Sequence, residues 1–132
     1  NQERLQEYGT ASQADYKGRG AKAGKHSDFV VQELMPYVEK NFRVLTGPDH
    51  TVIAGFSLGG LSALDIAWAH SEKFGKVGVF SGSLWWRKKA YEDGYDDYND
   101  RLMHTIIRHT PGKPALKFWF EAGTNDEISD RN

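Results

Sequence analysis

Thr51-Val52-Ile53-Ala54-Gly55-Phe56-Ser57-Leu58-Gly59-Gly60 decides the fold of this chain. Thr51, Val52 and Ile53 form a β-branched run suited to a buried strand. Past Leu58 the period changes, and Leu61, Leu64 and Ala67 or Trp68 recur at helical spacing. Between the two lies Gly55-x-Ser57-x-Gly59, the spacing of a nucleophile elbow. A serine at the tip of so sharp a strand-to-helix turn must hold strained dihedrals. The strand then passes close to the helix, and a side chain at position 55 or 59 is expected to collide there. The helix N-terminus favours negative charge, and the Leu58 N–H points where an oxyanion would form. A Gly/Ser turn without chemistry is the alternative, and the fit between a β-branched strand and a small-residue helix argues against it.

The rest of the composition sets bounds. A chain of 132 residues is at most one domain, and 39% hydrophobic residues suffice for a core. A formal net charge of −1 gives no electrostatic footprint for nucleic acid or an anionic membrane. No apolar run approaches the roughly 20 residues of a membrane span. With no cysteine, this chain has no disulfides and no thiol nucleophile, and the compartment stays open between cytoplasm and periplasm.

Upstream of the elbow, residues 1–25 are polar and interrupted by Gly9, Gly18, Gly20 and Gly24, which predicts a long loop of the kind that often lines a site. Ser27 is a candidate N-cap with Asp28 in the first turn. Phe29, Val30, Leu34, Tyr37, Val38 and Phe42 then share one helical face, and Pro36 should kink that helix. Gly47-Pro48-Asp49 breaks the chain before the first strand, Thr51 to Ala54. Downstream, Lys76 to Ser81 reads as a second strand and residues 87–100 as a charged surface excursion. Arg101 to His109 reads as a helix with Leu102, Met103, Ile106 and Ile107 inward. Pro111-Gly112-Lys113-Pro114 stops it before a third strand, Leu116 to Ala122. Helices alternating with strands argue for a parallel sheet with right-handed crossovers, an α/β fold with helices layered on both faces. Ligands of such sheets bind beyond the carboxyl ends of the strands. Ser57, the run Ser81 to Arg87 and the run Gly123 to Glu127 all fall there.

A serine hydroxyl needs a histidine base, itself oriented by a carboxylate. Asp126, a few residues past the third strand, fits the acid, with Glu127 and Asp130 as competitors and an Asx-turn as its structural alternative. Asp49 precedes the nucleophile strand and Asp65 lies within the following helix, so neither fits. His26, His50, His70, His104 and His109 all precede Asp126, so the usual order of serine, acid, histidine is not completed within this chain. Trp85 and Trp86 offer a wall for an aromatic or sugar-linked acyl group, or pack as core, and Arg87 is placed to pair with a carboxylate or phenolate. Glu92, Asp93, Asp96, Asp97 and Asp100 read as a solvated charge run, and Asp130-x-Asn132 as no more than the start of a calcium-loop pattern. No metal or cofactor is expected.

With these residues in view, the chain resembles the Putative esterase family of the α/β-hydrolase superfamily, whose members include enterochelin, feruloyl and acetyl-xylan esterases, S-formylglutathione hydrolases and mycolyltransferases. The matching stretches are Arg4-Leu5-Gln6-Glu7-Tyr8, Glu33-Leu34-Met35-Pro36-Tyr37-Val38, Ala54 to Gly60, Ser81-Gly82-Ser83-Leu84-Trp85-Trp86, and Glu121-Ala122-Gly123-Thr124-Asn125-Asp126. The elbow combined with the Ser81 to Trp86 run is most similar to the enterochelin-esterase side. The resemblance implies a three-layer α/β/α sandwich, a small-molecule ester as substrate, Ser57 as nucleophile, Asp126 as acid and the Leu58 amide as one oxyanion donor. It also implies that residues 1–132 are the middle of a single esterase domain roughly twice as long. A catalytically incomplete scaffold or binding module, or an acyltransferase of the same family, is the second reading. The sheet is then expected to have three strands with unpaired apolar edges prone to self-association.

Overall fold

The computed structural model describes residues 2–124 and 126. Glu127, Asp130 and Asn132, named above as acid competitors or calcium-loop positions, lie outside them.

In chain order the elements are α1 (Gln2–Glu7), α2 (Ala23–Asp28), a π-helical stretch (Phe29–Leu34), α3 (Met35–Asn41), β1 (Val52–Phe56), α4 (Leu58–Ala69), β2 (Lys76–Phe80), α5 (Asp97–Asp100), α6 (Leu102–His109) and β3 (Lys117–Glu121). The sheet is parallel in the order β1-β2-β3, with Ala54 opposite Gly78 and Gly78 opposite Trp119. β1 runs two residues past its expected end, because Gly55 and Phe56 still pair with Val79 and Phe80. The ladder breaks only where Ser57 leaves extended geometry.

α4 is apolar on nearly every side, and the structure buries it accordingly. Leu58, Leu61, Leu64 and Ala67 are buried and pack with Val77 and Val79 of β2 and with Leu102 and Met103 of α6. The face of the sheet that α4 covers carries Ile53, Gly55, Val77 and Val79. The opposite face, with Val52, Ala54, Phe56 and Trp119, is open: Phe56 is 71% exposed and Trp119 65%.

Two local expectations are corrected, and the disturbance expected from Pro36 is located. Residues 1–25 are not one loop. Gln2–Glu7 is a run of good helix formers ahead of the first glycine, and it forms α1. The glycine-rich segment then folds back on that helix, with Gly20 N–H donating to Leu5 O at 2.8 Å and Lys22 N–H to Gln6 O at 2.8 Å. Ser27 is no cap, since the helix already starts at Ala23 and Ser27 is buried inside it. Pro36 acts upstream of itself. It has no N–H and its ring crowds the carbonyl four residues back, and the preceding turn widens so that Met35 N–H reaches Val30 O, five residues back. Val31 is the buried member of this stretch, while Phe29, Leu34, Tyr37 and Phe42 are exposed.

The segment 87–100 is only partly a surface excursion. Its exposed acids lie around a buried anchor, Asp100, which accepts from Asp96 N–H at 2.9 Å and faces Lys88 Nζ at 3.4 Å and Lys89 Nζ at 3.6 Å. Among the described residues no group of His, Asp and Glu has the spacing of a metal site, and no helix is long and apolar enough to cross a membrane.

Candidate active site at the strand ends

Ser57 sits between β1 and α4 with φ 54° and ψ −121°, a conformation that a non-glycine residue adopts only under constraint. The constraint is visible on both sides. Ser57 N–H donates to Phe80 O at 3.0 Å, and Ser57 O accepts from Gly60 N–H at 3.0 Å, Leu61 N–H at 3.2 Å and Ser83 N–H at 3.0 Å. The side chain is exposed. Leu58 is the first residue of α4, so its N–H has no intrahelical acceptor and faces the anion-favouring end of the helix.

The glycines divide differently from expectation. A Cβ on Gly55 would lie 2.2 Å from Gly59 O, and one on Gly60 would lie 2.9 Å from Gly55 O. At Gly59 the nearest neighbour of such a Cβ is Tyr8 Cε2 at 3.9 Å, an ordinary contact. The strand–helix approach therefore rests on Gly55 and Gly60. Position 59 faces outward, toward a cleft of about 320 Å³ lined by Arg4, Tyr8 and His26. The N-terminal residues thus border the elbow, though as helices and turns rather than as a loop.

Asp126 lies beyond β3, with the loop after β2 between it and the elbow. Its carboxylate accepts from Gly123 N–H at 2.8 Å. The Ser81 hydroxyl first, and then that N–H, hold the carboxyl below the usual carboxylate range, so it is ionised at neutral pH. Ser81, like Ser57, has a positive φ, 46°, and turns the chain away from β2.

A cleft of about 500 Å³ opens here, lined among others by Leu84, Trp85, Arg101, Phe120 and Asp126. Trp85 borders it. Trp86 does not: its ring is fully buried, with Gly9 and Gly20 against it. Arg87 is 2% exposed. Its guanidinium lies 4.2 Å from the Tyr91 ring centroid and 4.6 Å from that of Tyr16, so it joins the core rather than facing a ligand. Arg101 is the cation that reaches the cleft, held by Tyr95 Oη at 3.1 Å and by Asp97 at 2.9 Å.

No histidine among the described residues hydrogen-bonds Ser57 or Asp126. His26 packs on Tyr8, with ring centroids 5.2 Å apart. His70 Nδ1 is 3.4 Å from Glu72. His104 is pushed below the usual imidazole range by burial, then by Arg101 and Arg108. Arg101 escaped the sequence reading, and Ser83 entered it only as a member of the run Ser81 to Arg87. Arg101 looked like an ordinary helix start. Ser83 had a usable signal: β2 follows β1 in a parallel sheet, so the small polar residues after β2 must pass beside the elbow.

Comparison with known proteins follows the same lines. The family model described as “Putative esterase” matches residues 2–132. The iron(III) enterobactin esterase of Escherichia coli K12 is 47% identical over 100 residues, which are 75% of this chain and 24% of that protein. The uncharacterized protein YbbA of Bacillus subtilis is 33% identical over 61 residues, 46% of this chain and 24% of its own length. Among solved structures, enterochelin esterase from Shigella flexneri superposes with a TM-score of 0.62 at 31% identity, over 74% of this chain and 24% of that one. The same enzyme in the presence of 2,3-dihydroxy-N-benzoyl-serine gives a TM-score of 0.60 at 31% identity, with 74% and 24% covered. The chain thus spans about a quarter of the length of these relatives.

Proposed function

We propose, from the premise that this chain belongs to the “Putative esterase” family, that it carries the nucleophile and the acid of a serine carboxylic-ester hydrolase. The observation that carries the reading is Ser57 itself: an exposed serine at φ 54°, between a strand and a helix that only glycine at position 55 lets approach. Ser57 Oγ attacks the ester carbonyl, the alcohol leaves, and water releases the acyl group from the serine. The Leu58 N–H donates to the oxyanion of each tetrahedral intermediate. Asp126, already ionised, orients and supports the base histidine. We assign that base to the part of the relatives' length that these residues do not span, since none of the described histidines bonds either partner.

The substrate of this reading is an ester with an aromatic acyl part. Trp85 and Phe120 give the cleft apolar faces and Arg101 supplies a cation beside them. The compound present with the Shigella flexneri relative carries an aromatic ring of this kind, as an N-benzoyl amide and not as an ester. Trp86, buried, supports this wall from beneath, its ring centroid 5.7 Å from that of Trp85.

A fluorophosphonate probe tests the nucleophile in the protein that carries this chain. Labelling that vanishes in Ser57→Ala is expected, and unchanged labelling of that variant would move the nucleophile elsewhere. Asp126→Asn should lower turnover of aryl esters by about three to four orders of magnitude with the melting curve intact. That no histidine among the described residues bonds Ser57 or Asp126 favours a second reading, a binding module without turnover. A p-nitrophenyl ester panel with no Ser57-dependent hydrolysis would select it. We also propose self-association through the exposed sheet edges, β1 on one side and β3, which carries Trp119, on the other. Sedimentation velocity on the 132-residue chain should show oligomers that Trp119→Lys reduces, and a monomer would reject this.

A further inference from the structure

We infer that Ser83 is a positioning residue for Ser57: its buried hydroxyl donates to Ser57 Oγ and leaves the nucleophile's own proton free for the base. This rests on the reading of Ser57 as nucleophile.

Ser83 is tied to the elbow at two points. Its N–H donates to Ser57 O at 3.0 Å, and its Oγ lies 3.3 Å from Ser57 Oγ. Behind it, Ser83 O accepts from Trp86 N–H at 3.2 Å, and Trp86 is fully buried. Ser83 is therefore set by the core and not by solvent.

The direction of the hydroxyl contact follows from burial. Ser83 is 2% exposed, and a buried hydroxyl hydrogen requires an acceptor. Among the described residues, the side-chain partner of Ser83 Oγ is Ser57 Oγ. Ser57 is exposed, so its own hydrogen has other places to go. The consistent arrangement has Ser83 donating and Ser57 accepting.

That arrangement has a chemical consequence. A separation of 3.3 Å is long for an O–H···O bond. As a base removes the Ser57 proton, charge grows on Oγ, and a bond donated to a charged oxygen shortens and strengthens. Ser83 thus contributes more in the transition state than at rest, which places its effect on the rate of attack and not on binding. It also narrows the rotation of Ser57 about χ1 before the substrate arrives.

The experiment is fluorophosphonate inactivation kinetics on the protein that carries this chain, resolved into a binding constant Ki and a maximal rate kinact. Ser83→Ala should lower kinact about tenfold, the scale of one lost hydrogen bond that matters at the transition state, with Ki unchanged. Ser83→Cys keeps the shape with a weaker S–H donor and should fall between the two. It also guards against an alanine variant that folds poorly, which a circular-dichroism melt would reveal. Wild-type kinact in both variants, or a loss confined to Ki, overturns the inference while leaving Ser57 as nucleophile. An unlabelled wild type, or equal labelling of Ser57→Ala, removes the reading of Ser57 and the inference with it.

Discussion

Asp65→Asn should make the protein more stable at neutral pH and flatten part of its pH dependence. Asp65 lies in α4, buried, where its Oδ2 accepts from Ala11 N–H at 2.8 Å. Burial raises its pKa from 3.8 to about 6, with that N–H and the charge of His70 only partly opposing it. The folded state therefore holds the proton more tightly than the unfolded state. Stability from this group is greatest below about pH 4 and is lost as pH rises toward the folded value near 6. At 1.36 kcal/mol per pKa unit, the ionised carboxylate costs about 3 kcal/mol of stability at pH 7. Asparagine keeps an acceptor for Ala11 N–H and removes the charge. Urea titrations of wild type and variant at pH 4, 5, 6 and 7 give the comparison. The carboxylates whose pKa values are lowered, Asp97, Asp100 and Asp126, tilt both proteins alike and cancel in the difference. The difference should grow by about 2 to 3 kcal/mol in favour of the variant from pH 4 to pH 7. A difference that stays flat with pH would refute the buried, proton-retaining Asp65.

Two further pairs of variants separate roles that both members of each pair were expected to share. Gly55→Ala places a methyl group against the Gly59 carbonyl and should cost at least about 3 kcal/mol, whereas Gly59→Ala should melt within a few degrees of wild type; equal losses would contradict the observed spacing. Trp85→Ala should raise KM for aryl esters more than for acetyl esters with little change in melting temperature. Trp86→Ala should instead destabilise by about 3 to 5 kcal/mol, and a stable Trp86→Ala enzyme with altered substrate preference would reverse their assignments.

The elbow and its three parallel strands were legible because their signals are local. β-branched residues, a glycine-serine turn and an apolar helix follow one another within twenty residues, 51–70. What escaped depends on partners distant in the chain. Nothing near Arg87 announces that Tyr16, Tyr91 and Tyr95 enclose its guanidinium. The apolar face from Phe29 to Phe42 has a helical period, but the period does not say whether a neighbour is present to cover it. The glycines before residue 25 drew attention from the helix-forming run ahead of them. Gly59 belongs to the elbow pattern by spacing, while steric need falls on Gly55 and Gly60, which only coordinates distinguish.

The clamp of the N-terminal segment onto α4 has a consequence for the order in which the molecule assembles. Gly9 N–H reaches Ser62 Oγ across 53 positions of sequence, and Tyr16 meets Arg87 across 71. Closing such loops costs entropy before any contact repays it, and topologies rich in them fold slowly. β1 and α4 are joined directly at Ser57 and can meet early. Ser62 and Asp65 of α4 offer only part of the docking site of this segment, and the rest is missing until Trp86 has emerged from the ribosome and taken its place beneath Gly9 and Gly20. Between the emergence of Trp86 and that docking, the nascent chain presents an indole that Gly9 and Gly20 do not yet enclose. Chaperone capture and proteolytic nicking of the growing polypeptide should therefore concentrate ahead of residue 23, and cease once the segment after β2 is complete.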